Sequence, residues 1–107
     1  MSQFIAMNRF KILPGMEAEF EGIWKSRNTY LEDVPGFIRF NLLKGPESKD
    51  YLLYASHTLW ASEADFEAWT KSKAFRKAHE GAGSRGHLYL GHPDFEGFTT
   101  IEGVSVG

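Results

Sequence analysis

F-I-R-F-N-L-L-K-G-P-E-S-K-D-Y-L-L-Y-A-S-H-T-L-W, residues 37–60, decides the fold class. Two runs rich in aromatic and aliphatic side chains flank G-P-E-S-K-D, a cluster of turn formers, so the stretch reads as a β-hairpin. Both faces of its strands carry large side chains. Pro35-Gly36 punctuates the chain just before it. Working outward toward the N-terminus, residues 3–12 alternate, with Phe4, Ala6, Asn8, Phe10 and Ile12 on one face and Ile5, Met7, Arg9 and Lys11 on the other. This is the period of a strand, with Asn8 as a polar intruder on its apolar face. Pro14-Gly15 turns the chain, after which Met16, Phe20, Ile23, Trp24, Arg27 and Leu31 recur at helical spacing, Arg27 lying on the apolar stripe.

On the C-terminal side, Ser62 followed by Asp65 makes a capping-box-like start for a helix carrying Phe66 and Trp69. That helix breaks near Ser72, a residue suited to capping a new turn, and resumes to His79. Residues 80–93 keep no period, and D-F-E-G-F-T-T-I-E-G-V, residues 94–104, supplies a last strand. The order βαββαβ, with no internal repeat, predicts a single α+β domain of ferredoxin-like topology over residues 1–107. In such a fold the helices cover one face of the sheet. Leu53, Leu59, Ile38 and Phe40 are candidates for an apolar second face, and the expected cover is a second copy of the chain, giving a homodimer whose two sheets form an α+β barrel.

Composition narrows the function classes. Twelve Lys+Arg against fourteen Asp+Glu give a formal charge of −2, without the basic stripe that phosphate-backbone binding needs, so no nucleic-acid partner is expected. The absence of Cys excludes disulfides, thiolate ligation and a Cys nucleophile. M-S-Q-F-I-A-M-N-R-F lacks a basic segment followed by an apolar run, and no stretch approaches the ~18 apolar residues of a membrane span. A cytoplasmic protein without a membrane partner is the expectation. Aromatics are 15% of the chain, nine of them Phe, a load that suits a large core or a flat apolar ligand.

The chemistry-bearing residues are few. Trp69 and His79 lie ten residues apart; on one continuous helix they would stand ~15 Å apart along the axis and ~80° apart around it, too far to touch one small ligand together. A break at Ser72 removes that obstacle and sets Phe75 one turn before His79. His79 reads either as an axial metal ligand at the wall of an apolar pocket or as a hydrogen-bonded histidine at a helix C-terminus. Asn8 requires a partner, because an unsatisfied buried carboxamide costs ~1–3 kcal/mol; that partner is a neighbouring backbone group or a ligand oxygen. Trp69 is core or ligand wall. Arg27 reaches a ligand carboxylate or lays its stem across apolar surface into water. Residues 80–93 hold Gly81, Gly83, Gly86 and Gly91 with Arg85, His87 and His92, a loop long enough to form a lid. His87 and His92 lack the spacing of a preorganised metal pair, His57 stands alone in a strand, and no phosphate loop, dinucleotide fingerprint or nucleophile elbow occurs.

Taken together, N-R-F at Asn8, P-G after the first strand, F-E-x-x-W-x-x-R ending at Arg27, P-G-F at Pro35 and W-x-x-S-x-x-F-x-x-x-H from Trp69 to His79 resemble the IsdG-type haem-degrading monooxygenases, within the antibiotic-biosynthesis monooxygenase superfamily of dimeric α+β barrels. The likeness covers residues 3–80 and, more loosely, the final strand. The resemblance implies that haem is both cofactor and substrate, with the iron held by His79 as axial ligand. It implies that Asn8 hydrogen-bonds the iron-bound oxygen species and that Trp69 presses the macrocycle out of plane, so that Asn8, Trp69 and His79 are catalytic and Arg27 lines the pocket. O2 and electrons from a reductase or chemical reductant would open the porphyrin to a bilin-type product and release iron, in the service of iron acquisition. The Gly-rich loop from Gly81 to His92 departs from the family in length and composition. Two other readings stand beside this one: a cofactor-independent monooxygenase of a quinol or aromatic polyketide, and a non-catalytic dimeric barrel that binds haem or a small apolar ligand.

Overall fold

A computed structural model describes residues 2–27, 29–79 and 86–104. Gly81, Gly83 and Arg85 of the Gly-rich loop lie outside the described residues. The elements run β1 (Phe4–Ile12), α1 (Glu17–Ser26), β2 (Phe37–Glu47), β3 (Leu52–Trp60), α2 (Glu63–Thr70), α3 (Lys73–Ala78) and β4 (Asp94–Thr99). The four strands form one antiparallel sheet in the order β2-β3-β1-β4. This is the ferredoxin-like α+β arrangement that the element order predicts.

Alternation in β1 decides which face the helices cover. Phe4, Ala6, Phe10 and Ile12 are buried, whereas Arg9 and Lys11 are exposed. The buried set divides into two clusters. Phe10 and Ile12 pack with Phe20, Tyr54 and Leu88 under α1, and Phe4 and Ala6 pack with Leu31 and Trp60, against which Phe66 and Trp69 of α2 rest. Asn8 sits on β1 between the two clusters. Its register partners are Ser56 on β3 and Phe95 on β4, while Ala6 faces Thr58. The inward side chains of both central strands therefore run large, small, small, large: Phe4-Ala6-Asn8-Phe10 against Trp60-Thr58-Ser56-Tyr54. Because the bulky residues align with bulky residues, the helices are held apart from the sheet at its middle.

α1 stops earlier than the apolar spacing predicts. The Ser26 hydroxyl donates back to the Gly22 carbonyl at 3.0 Å, a local bond that competes with helix propagation, and Arg27 is already extended. Tyr30 then adopts a left-handed backbone, φ 57°, and delivers Leu31 to the cluster around Trp60. Leu31 is thus buried on a route of its own, not on the stripe of α1. The Pro35-Gly36 turn is tied to α2: Gly36 has φ +83°, and a Cβ there would lie 2.3 Å from Asp65 Cγ. At the start of α2 the Ser62 hydroxyl oxygen accepts from the Asp65 N–H at 3.2 Å while its proton goes to the Asp65 carboxylate, so the N-cap read from the sequence forms, with the Asp65 side chain bonding the Ser62 hydroxyl.

The second face of the sheet carries Ile5, Met7, Leu53, His57, Leu59 and Leu43, with Phe98 from β4. Phe40 does not belong to it. The register shift between Phe37 and Arg39 turns Phe40 to the helix side, where it stacks on Trp24 at 5.6 Å between ring centroids. That irregularity leaves Ile38 exposed. The last strand is also shorter than predicted, ending at Thr99, with residues 102–104 in a turn. No helix among the described residues is long and apolar enough to cross a membrane.

Candidate functional site

Where the paired strands carry small side chains, the structure opens a cavity of about 700 Å³, within the range of small-molecule and cofactor sites. Ala6, Asn8, Ser56 and Thr58 form its floor on the sheet; Trp24, Arg27 and Thr29 close one side, Phe66 and Trp69 another, and Ala78 and His79 a third. Leu31, Gly86, Tyr89, Gly91, His92 and Pro93 also line it. Phe10, Trp24, Phe40, Phe66, Trp69 and Tyr89 give the lining a strongly aromatic character, which suits a flat apolar occupant.

Position of the histidine depends on the helix break. Thr70 ends α2, and Ser72 caps α3 by accepting from the Phe75 N–H at 3.1 Å. The same hydroxyl donates to the Trp69 carbonyl at 2.6 Å, so one side chain joins the end of one helix to the start of the next. The chain folds back enough to bring the Trp69 and His79 rings within 6.1 Å, with Phe75 touching both, edge-on to Trp69 at 4.8 Å and stacked on His79 at 4.1 Å. A straight helix would have kept Trp69 and His79 apart.

His79 caps the C-terminus of α3, and its Nδ1 lies 2.8 Å from the Phe75 carbonyl oxygen. A carbonyl only accepts, so this contact is made by a protonated Nδ1, and in the neutral ring Nε2 is then the nitrogen with the lone pair. That is the state of a metal-ligating imidazole, which donates its other ring N–H to a carbonyl or carboxylate. Both sequence readings of His79 are therefore compatible: the helix-terminal hydrogen bond is the element that prepares the second nitrogen.

Asn8 shows no bond to a neighbouring backbone group. Among the described residues, no hydrogen bond engages the side chain of Asn8, Ser56 or Thr58, and all three line the cavity. Trp69 Nε1 is buried without a partner among the described residues. The Arg27 guanidinium lies over the Trp24 ring, 4.5 Å from its centroid, at the cavity wall. The Gly-rich loop contributes through its C-terminal part. The Leu13 N–H donates to the Leu88 carbonyl and the Leu90 N–H to the Lys11 carbonyl, fixing this segment to the end of β1 and carrying His92 to the cavity. His87 points elsewhere, bonding Glu19 at 2.7 Å, and His57 lies on the opposite face of the sheet.

The sequence reading named Asn8, Arg27, Trp69 and His79, and all four line the same cavity. It missed Ser56, Thr58, Phe40 and Trp24 as lining residues. Their signal exists only once the register of β3 against β1 is known.

A sequence model described as antibiotic biosynthesis monooxygenase matches residues 3–81. The chain belongs to that family. Within it, a "Heme-degrading monooxygenase" of Shouchella clausii is 39% identical over 62 residues, 58% of this chain and 58% of that protein. The chain thus spans somewhat more than half the length of this relative. Among solved structures, the heme-degrader MhuD of Mycobacterium tuberculosis, with two hemes bound in its active site, superposes with a TM-score of 0.73 at 26% identity, over 97% of this chain and 99% of that one. SnoaB of Streptomyces nogalater, a cofactor-independent oxygenase, gives a TM-score of 0.67 at 22% identity over 97% and 98% of the two chains. That second likeness shows the common fold of the antibiotic biosynthesis monooxygenase family and nothing finer.

Proposed function

We propose that this protein is a haem-degrading monooxygenase, a haem oxygenase-type enzyme whose catalytic residues are Asn8, Trp69 and His79. The observation that carries the reading is the contact of His79 Nδ1 with the Phe75 carbonyl at 2.8 Å: in the neutral ring it leaves Nε2 as the nitrogen that would hold the haem iron. The cavity fits the group, since its aromatic lining matches a flat macrocycle and Arg27 stands at its wall. Bound there, haem supplies the oxygen chemistry with O2 and electrons from an external reductase, and is itself the molecule opened to a bilin-type product with loss of iron. The chain supplies position and polarity. His79 would hold one side of the ligand, the Asn8 NH2 would donate to a ligand oxygen over the cavity floor, and Trp69, backed by Phe66 and Trp60 at 6.1 and 5.3 Å, would give the ligand a rigid wall.

The working unit is a homodimer. The uncovered sheet face carries Ile5, Met7, Leu53 and Leu59, with Leu43 and Phe98 40% and 44% exposed, and a second copy of the same face is its complement in an isologous pairing. Titration of the purified protein with hemin, then addition of ascorbate in air with catalase present, tests the function. A saturable Soret band that decays on reduction, with bilin-like absorbance and chelatable iron appearing, is the expected result. A band that survives reduction reduces the protein to a haem carrier, and no saturable band transfers the assignment to cofactor-independent oxygenation.

A further inference from the structure

The cavity floor contains more hydrogen-bonding capacity than Asn8 alone. In the β1–β3 register Asn8 faces Ser56 and Ala6 faces Thr58. Directly opposed Cβ atoms of an antiparallel pair stand ~4.5–5.5 Å apart, so the carboxamide and the Ser56 hydroxyl are neighbours, with Thr58 next along the same face of β3. Ser56 and Thr58 are 6% and 7% exposed, and both line the cavity. Neither hydroxyl is engaged by a hydrogen bond among the described residues. Both hydroxyls face the cavity, where solvent can reach them. A molecule that fills the cavity displaces that solvent and must supply their partners, because leaving such a group unsatisfied costs ~1–3 kcal/mol.

We propose that Ser56 and Thr58 form, with Asn8, a hydrogen-bonding subsite for a small, negatively polarised ligand that shares the cavity with haem. The inference rests on the haem reading above and extends it to two residues that reading does not use. The carboxamide NH2 and two hydroxyls present three donors on adjacent strands, and the hydroxyls, unlike the amide nitrogen, also accept. A ligand bearing acceptor atoms, such as azide or dioxygen, satisfies all three together. A purely apolar occupant satisfies none.

The test uses hemin-loaded protein and azide as the probe, with the infrared stretch of carbon monoxide on the reduced protein as a second readout. Thr58→Val keeps the shape and removes the hydroxyl; Ser56→Ala removes the other; Ser56→Thr retains a hydroxyl at that position. Each deletion is expected to weaken azide binding about tenfold, ~1.4 kcal/mol, and to raise the carbon monoxide stretch, while hemin uptake remains saturable and Ser56→Thr keeps azide affinity. Unchanged azide affinity and stretch in both deletion variants, with hemin still saturable, overturns the subsite and leaves the haem reading intact. Loss in Ser56→Thr equal to that in Ser56→Ala traces the effect to packing and also overturns it. If Ser56→Ala takes up no hemin, Thr58→Val decides by the same two readouts. Unmodified protein that takes up no hemin overturns the haem reading and the subsite together.

Discussion

Ser72 is the side chain on which the geometry of the site turns, and Ser72→Ala is its direct test. Its hydroxyl accepts from the Phe75 N–H at 3.1 Å and donates to the Trp69 carbonyl at 2.6 Å, so the substitution removes an N-cap and a link between two helices. An N-cap Ser→Ala change costs ~1 kcal/mol, and a second hydrogen bond adds a further ~0.5–1 kcal/mol. α3 has six residues and buries only Ala78, so little packing resists the loss. An isolated helix of that length is far below the ~12–15 residues at which helices become marginal in water. The ~1.5–2 kcal/mol is therefore expected to appear as local opening of α3, raising its open population by roughly 10–30-fold. Amide hydrogen exchange followed by nuclear magnetic resonance should show that acceleration at Arg76 and His79, whose N–H groups bond within this turn, with little change in β1 and β3. Hemin affinity should fall by no more than the fraction of protein in which α3 is formed, and Ser72→Asp, which keeps an acceptor at the cap, should recover most of it. Exchange rates at Arg76 and His79 equal to those of the unmodified protein would refute the argument that this hydroxyl sets the helix break.

Four further outcomes are expected. His79→Ala should abolish axial nitrogen ligation in the hemin spectrum, with added imidazole restoring it; an unchanged spectrum would remove His79 as the ligand. Asn8→Ala should retain hemin uptake but lose at least about tenfold in turnover, the scale of one hydrogen bond to a charged or strongly polarised group; an unchanged rate would deny its role. Leu59→Lys places a charge on the uncovered sheet face and should weaken self-association by about 100-fold or more, ~2.7 kcal/mol, as read by sedimentation velocity at micromolar concentration; identical profiles would place the interface elsewhere. The Tyr54 hydroxyl donates to Glu21 Oε2, and that bond holds the Glu21 carboxyl below its ordinary value, with Lys44 contributing. A carboxyl whose pKa is depressed by folding stabilises the folded state above its unfolded pKa and loses that contribution as pH falls through the folded value. Tyr54→Phe should accordingly melt below the unmodified protein at about pH 7, the gap narrowing as pH falls below the ordinary range of a Glu carboxyl; a gap that is constant with pH would assign it to packing alone.

Much of the site was legible in the sequence because its signals are local. Ser62 and Ser72 announce their helix starts by residue type, and each hydroxyl finds the N–H three positions later. The Trp69 to His79 spacing makes sense only if a break intervenes. Asn8 is visible because it violates an alternation that its neighbours obey. The errors fall where local pattern competes with chain reversal. Arg27 and Leu31 continue the apolar spacing of α1, yet the Ser26 hydroxyl ends the helix and a left-handed Tyr30 redirects the chain. Phe40 reads equally well on either face, and an irregularity in the pairing of β2 with β3 sends it to the helix side.

By itself the sequence determined the order of strands and helices and the break at Ser72, because periodicity, caps and turn formers act over a few residues of chain. It also carried the family pattern that joins Asn8, Trp69 and His79. Only the tertiary structure decided that there is a cavity and which residues line its floor. That hollow exists because Ala6 and Asn8 lie opposite Thr58 and Ser56 while the bulky residues lie opposite one another. A slip of one residue would exchange the faces of β3 and replace the hydroxyls with Ala55 and His57. Register is a relation between segments roughly 50 residues apart in the chain, set by the burial of both clusters at once, and no local pattern encodes it.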